Sequence, residues 1–314
     1  ERALNLCVTG MASTSSRSAY YESTQAHKQL NETAKNKAES EGVKFYRTES
    51  ASHSTRNDGA RFDYDSISSF SSVASAAMQD YYNQLGMQTS FNAYSYYGHT
   101  PLTAAMFSVK YEFTDNTPSL PTNMTEIGSQ TYSTGNNAAS TVHLYEYNNT
   151  LPLGFMVNMS TEANWNKETG NPFTTQNSFV KTAIDSDANI FHQLQTTDTV
   201  GTFTAKYQLE EDDNYKPSGD AATYDVYFYC VTSSETLTVN ITNGSITDDN
   251  STTKTFSSTN QNYICHVGNV SAGSTITVTA SDGQALTTCY AYAFDNDAWE
   301  TAYKLLNKNP YTVE

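Results

Sequence analysis

The feature that most constrains this chain is a two-residue alternation that sets in near Val200 and runs to about Phe294. Phe203, Ala205, Tyr207 and Leu209 alternate with Thr202, Thr204, Lys206 and Gln208. Leu237, Val239 and Ile241 alternate with Thr238, Asn240 and Thr242; Ile276, Val278 and Ala280 alternate with Thr275, Thr277 and Thr279. Successive side chains of a strand point to opposite faces, so such runs bury one face and wet the other. Further strands are expected at residues 224–232, 262–267 and 288–294. Short strands with regular turns predict a β-sandwich of jelly-roll type.

Upstream, the pattern is mixed. Residues 18–42 predict a polar helix with a thin apolar stripe (Ala26, Leu30, Ala34, Ala38), stopped by Gly42. Residues 43–49 alternate like a strand. A helix is expected over 70–85, with Ser69, Ser71 and Ser72 crowding its start, and a shorter one over 101–109, capped by Thr100 with Pro101 in its first turn. Strands are expected at 109–113, 142–147 and 153–159, a long loop at 114–137, and an amphipathic helix over 177–194. The expected fold is an α+β N-terminal domain over residues 1–197 and an all-β, jelly-roll-like sandwich over 198–297. Residues 298–314 would then form a C-terminal helix and the start of a further segment.

Hydrophobic residues make up 37% and charged residues 16%, but 23 Tyr among 12% aromatics argue for a folded chain with wide polar faces. The formal charge of −16, with 17 Lys and Arg and no cationic cluster, excludes nucleic acid as a partner class. No apolar run is long enough to span a bilayer; the longest, 151–157 and 226–231, are strand-sized. The chain starts at Glu1 and shows no signal-peptide core, so it is expected to be a processed or excised piece. Cys7, Cys230, Cys265 and Cys289 form no CxxC pair and are read as small buried hydrophobes. An oxidising compartment would allow a disulfide among the last three. Eight N-x-S/T triplets are read as chance in a chain this rich in Asn, Ser and Thr.

Catalytic motifs are missing. There is no phosphate-binding glycine loop and no HExxH, and His27, His53, His99, His143, His192 and His266 are far apart in sequence. No metal site, cofactor or catalytic residue is therefore assigned. The S-x-x-K pairs Ser178–Lys181 and Ser251–Lys254 lack their partner motifs, and the run beginning at Asp185 has Ile190 and Thr196 where a calcium loop needs Gly and Glu. The acidic turn at 210–213 reads as solvated charge. The aromatic run 91–97 with His99 is the best binding surface, because Tyr offers a ring face and a hydroxyl to a sugar. A plain reading of the same run is a strand that packs one face and wets the other. Candidate ligand-binding residues are Tyr94, Tyr96, Tyr97, His99 and Arg47.

Several segments, in order, resemble one family. Phe45-Tyr46-Arg47-Thr48-Glu49 and the run from Tyr64 to Ser72 resemble the "FYR-E … YNGIS-FSS" run of the bacterial YfhO membrane proteins. Tyr97-Gly98-His99-Thr100-Pro101-Leu102, Phe107-Ser108-Val109-Lys110-Tyr111, residues 151–157, and Asn171-Pro172-Phe173 with Gln176-Asn177 are similar to further family segments. Asp65 departs from the family's Asn-Gly. The matches span roughly residues 44–194; beyond 200 only the β-pattern fits. The resemblance implies an extracellular region of a multi-pass protein with a glycosyltransferase-C-like membrane half. Such proteins are implicated in adding sugar from a lipid-phosphate carrier to lipoteichoic acid in Gram-positive bacteria. It implies two partners, the protein's own membrane-embedded half and a cell-envelope glycopolymer, and carries no catalytic residue onto this chain. Net charge would repel a polyanionic acceptor, which leaves a local basic spot, for which Arg47, Arg56 and Arg61 are candidates, a D-alanylated acceptor, or no direct contact. Two rivals stand beside it: a secreted carbohydrate-binding or adhesive protein, and a secreted hydrolase with dispersed carboxylates.

Overall fold

In a computed structural model, residues 17–115, 123–135, 138–196, 204–208, 223–248 and 250–308 are described. Cys7, residues 200–203, Leu209 and the acidic turn at 210–213 lie outside them.

The described residues begin with α1 (Arg17–Ser40), β1 (Arg47–Ser50), α2 (Asp58–Phe62), α3 (Ala76–Gln84) and α4 (Pro101–Met106). Next come β2 (Val109–Asp115), β3 (Met124–Gly135), β4 (Ala138–Tyr147) and α5 (Pro172–Ile184). These first strands form one sheet in the order β1-β2-β4-β3, with β1 and β2 parallel and the remaining pairs antiparallel. The stripe Ala26, Leu30, Ala34 and Ala38 of α1 packs on Tyr111, Phe113, Val142 and Leu144 of this sheet. Small residues on the helix let it approach the aromatic face closely.

Expected and observed elements differ where local pattern and packing disagree. The expected loop at 114–137 contains the twelve-residue strand β3. Its Thr, Ser and Gly content hides a strand, but β4 pairs with it along its length. The expected strand at 153–159 is an irregular segment fastened to α5. The helix expected from Phe70 begins at Ala76, because Ser75 is the residue whose side chain accepts from Met78 N. Phe70 itself lies in a short three-strand sheet with 89–90 and 93–94. The helix expected over 177–194 runs from Pro172, capped by Asn171, to Ile184, and Phe191 starts a strand.

The second half supplies β5 (Phe191–Gln193), β6 (Thr204–Gln208), β7 (Thr223–Thr232), β8 (Thr236–Thr242) and β9 (Thr253–Ser257). It continues with β10 (Cys265–Ser271), β11 (Thr275–Ala280), β12 (Leu286–Phe294) and α6 (Asn296–Leu306). One antiparallel sheet has the order β9-β8-β11-β6, with Gln195–Thr196 at its edge; another has the order β10-β7-β12-β5. Val226, Phe228, Val239, Ile241, Val267, Ile276, Val278 and Ala291, from both sheets, share one apolar cluster. The opposite face of β7 and β12 presents Tyr227, Tyr229, Tyr292 and Phe294 to Phe173, Phe179 and Val180 of α5 and Trp299 of α6. Covered on both faces, β7 is buried almost throughout, which explains why it holds one of the longest apolar runs. The molecule is therefore a mixture of helices and several open sheets.

The cysteines depart from expectation. Cys230 of β7 and Cys289 of β12 lie directly opposite each other and form a disulfide, while Cys265 is a buried thiol. Alternation alone could not place the two side chains on the same face of neighbouring strands.

Candidate functional site: a cleft between the mixed region and the β-sheets

A cleft of about 400 Å³ opens where the loop before α4 meets β9 and β10. Tyr97, His99, Glu112 and Ser52 line one wall; Lys254, Phe256, Tyr263 and His266 line the other. The walls are held together by close backbone contact. Gly86 O accepts from Ile264 N at 2.8 Å. Gly98 has φ +85°, and a Cβ there would sit 2.3 Å from Gly86 O. No other residue type could bring Tyr97 and His99 round this turn. Thr100 then caps α4: its side chain accepts from Thr103 N and its own N–H donates to the Thr103 hydroxyl. Arg56 Nη2 adds a bridge, donating to Gln88 Oε1 at 2.9 Å and to Gln261 Oε1 at 2.7 Å.

A buried polar network underlies the cleft. Glu112, 2% exposed, accepts from the hydroxyls of Tyr96 and Tyr147, each at 2.8 Å, and its carboxylate lies 3.4 Å from His99 Nε2. The His99 ring stacks on Tyr96 with centroids 3.8 Å apart. Burial holds the imidazole below its ordinary value, outweighing the attraction of Glu112. Burial and the adjacent carboxylate push the Tyr96 and Tyr147 hydroxyls well above theirs, so both remain donors. On the opposite wall His266 Nε2 lies 2.6 Å from buried Asp225, and its ring stacks on Tyr227 at 4.4 Å.

Two of the five residues singled out from the sequence line this cleft. Tyr97 faces it, its hydroxyl accepting from His53 N at 3.0 Å and its ring centroid 6.1 Å from that of Tyr263; His99 is the other. Tyr96 lies fully buried beneath. Tyr94 packs against Tyr82 at 4.9 Å, away from the lining. Arg47 donates to Phe107 O at 2.6 Å, also elsewhere. Arg61 is spent on the Tyr20 ring at 3.9 Å and Thr24 Oγ1, so the three arginines named as a basic spot have protein partners. Sequence reasoning missed Glu112, Lys254, Tyr263, Asp225 and His266. The available signal was a histidine and an aspartate within otherwise apolar strands.

A neighbouring cluster brings serine, histidine and carboxylate together without relay geometry. Glu49, fully buried, accepts from Ser66 Oγ, Ser68 Oγ and the N–H groups of Ile67 and Ser68. His53 Nε2 lies 3.2 Å from Glu49 and 3.1 Å from Ser68 Oγ, so both partners meet the same nitrogen, and Nδ1 has none. A Ser–His–acid relay uses the two ring nitrogens separately. The group instead pins the loop 66–68 to β1. Ser178 Oγ is likewise structural, accepting from Asn166 N at 3.0 Å. Among the described residues no three His, Cys, Asp or Glu are placed to hold a metal ion, and no helix is long and apolar enough to cross a membrane.

A family model described as bacterial membrane protein YfhO matches residues 3–314. No curated protein and no solved structure matches. The match covers nearly the whole chain, including the β-rich half where only alternation pointed to the resemblance. The chain belongs to the YfhO family of bacterial membrane proteins.

Proposed function

We propose that this chain is the outward-facing, extramembrane region of a multi-pass envelope protein, accessory to transfer of sugar from a lipid-phosphate carrier to a cell-envelope polymer such as lipoteichoic acid. Its role is to hold a sugar-bearing stretch of the acceptor in the cleft. The observation that carries this reading is the cleft's lining: the rings of Tyr97 and Tyr263 beside Lys254, His99 and Glu112, with Ser52, Thr255, Ser257 and Ser258 also in the lining. Sugars are recognised by that combination of ring face and convergent polar groups. The Cys230–Cys289 disulfide supports an oxidising, outer compartment. The two β-sheets that share one core, with strands between Phe191 and Phe294, are read as a jelly-roll-like sandwich set against the mixed region.

The charge of −16 makes neutral or D-alanylated stretches the better ligand, since a bare polyphosphate would be repelled. Titration with glycosylated teichoic-acid fragments at low salt tests the reading. Saturable binding is expected, weakened at least about tenfold, roughly 1.4 kcal/mol, by Tyr97→Ala. Absence of binding, or equal binding by the variant, would contradict it. Binding by free glycans in a native protein without membrane helices would favour the alternative, a secreted carbohydrate-binding or adhesive protein.

A further inference from the structure

Residues 151–161 contain no charged side chain, in a chain of formal charge −16. Four of them stand in solvent: Leu153 is 49% exposed, Met156 68%, Val157 38% and Met159 98%. Large apolar side chains gain by leaving water, so an apolar run of this kind ordinarily folds inward. Here the backbone is fastened with the tips outward. Asn158 N donates to Ala183 O of α5 at 2.9 Å. The Thr161 hydroxyl donates to Asn158 O at 2.6 Å and Thr182 O at 3.1 Å, and Ser160 N donates to Asn158 Oδ1 at 2.9 Å. Beneath the tips, Phe155 is partly buried, 6.4 Å from Phe179 in ring centroids, and Trp165 lies 5.0 Å from the same ring. The segment is a built projection rather than a frayed loop.

Its side chains are graded as a membrane interface demands. The tip is aliphatic. At the base the Trp165 indole donates to Thr175 O at 3.0 Å, and the Lys167 ammonium lies 5.4 Å over its ring. Trp and Lys belong at headgroup level, with Leu, Val and Met below. Together the four tips expose a few hundred Å², short of the roughly 800 Å² per partner that a stable protein interface buries. A bilayer sets no such threshold, and this chain's family is one of membrane proteins.

We propose that the 153–159 projection inserts its tip into the acyl–headgroup boundary of the lipid bilayer, fixing the height and tilt of this region over the membrane. The proposal is independent of what the cleft binds. The charged residues that flank the segment and α5 in sequence are mixed, Glu162, Glu168 and Asp185 with Lys167 and Lys181, so apolar transfer and not charge drives the contact. That sets the sign of the salt effect. Screening weakens the repulsion between a −16 chain and an anionic surface, so added salt strengthens binding.

The test is flotation of the chain with vesicles of phosphatidylethanolamine and phosphatidylglycerol. The chain is expected to float with the vesicles, more so at high salt, and the M156D/M159D double variant to bind at least tenfold less with an unchanged Tm. As a second readout, Met159→Trp should shift its emission to the blue and be quenched by brominated acyl chains. Failure to float, equal flotation of the double variant, binding abolished by salt, or an unquenched Trp would each overturn the proposal. So would self-association that disappears in the double variant, which would make a second copy the occupant.

Discussion

Tyr147 illustrates how single groups hold the cleft floor. Its hydroxyl donates to Glu112 at 2.8 Å and meets the Tyr96 hydroxyl at 2.9 Å, with all three groups buried. Tyr147→Phe removes a hydrogen bond to a buried carboxylate and is expected to cost about 1.5–3 kcal/mol in denaturant unfolding. A cost near zero would mean the network is loosely held. His99 gives a pH dependence of defined sign. Its folded value lies below the ordinary 6.5, so the unfolded chain takes up a proton first as pH falls. The stability it contributes is complete above about 6.5 and is lost as pH falls through its lower folded value. Buried His27 shifts in the same direction, so the wild-type slope contains both. The difference between wild type and His99→Gln isolates the His99 part: the variant should lose less stability between neutral and mildly acidic pH. At this scale the sequence was half legible. Tyr97 and His99 sit in an obvious aromatic run, whereas Glu112 in VKYEFTD resembles any polar strand position. Its partners, Tyr96 and Tyr147, are 16 and 35 residues away along the chain, and only the fold collects them.

Among the elements, the paired central strands β7 and β12 carry the disulfide. It closes a loop of 59 residues, from which loss of chain entropy in the unfolded state predicts about 4 kcal/mol of stabilisation. The Cys230→Ala/Cys289→Ala pair should lower unfolding free energy by that amount while the sheets persist by circular dichroism. An unchanged stability would show that the bond does not form in solution. Elements with a one-sided apolar pattern were legible: α1 by its Ala/Leu stripe, β8 and β11 by alternation with Thr. β3 was not, because MTEIGSQTYSTG has the composition of a loop and gains its strand form from β4 and from α1 lying across it. The opposite error arose at 153–159, where apolar composition suggested a strand and the structure has an irregular segment that turns Leu153, Met156, Val157 and Met159 to solvent.

For the whole molecule, charge and topology decide what the region meets. A field of −16 keeps anionic polymers and anionic lipid at a distance except where apolar or sugar-facing contacts act. In the proposals made above, the cleft and the 153–159 projection are the two such contacts, at different places on the surface. The cleft reading requires that this region stand outside the cell, where the envelope polymer is. The direct measurement is labelling of intact cells that carry the full membrane protein with Lys28→Cys, at an exposed position on α1, by a membrane-impermeant maleimide. The account predicts labelling before the cells are broken, equal to that in lysed cells; labelling only after lysis would place the region inside and contradict it.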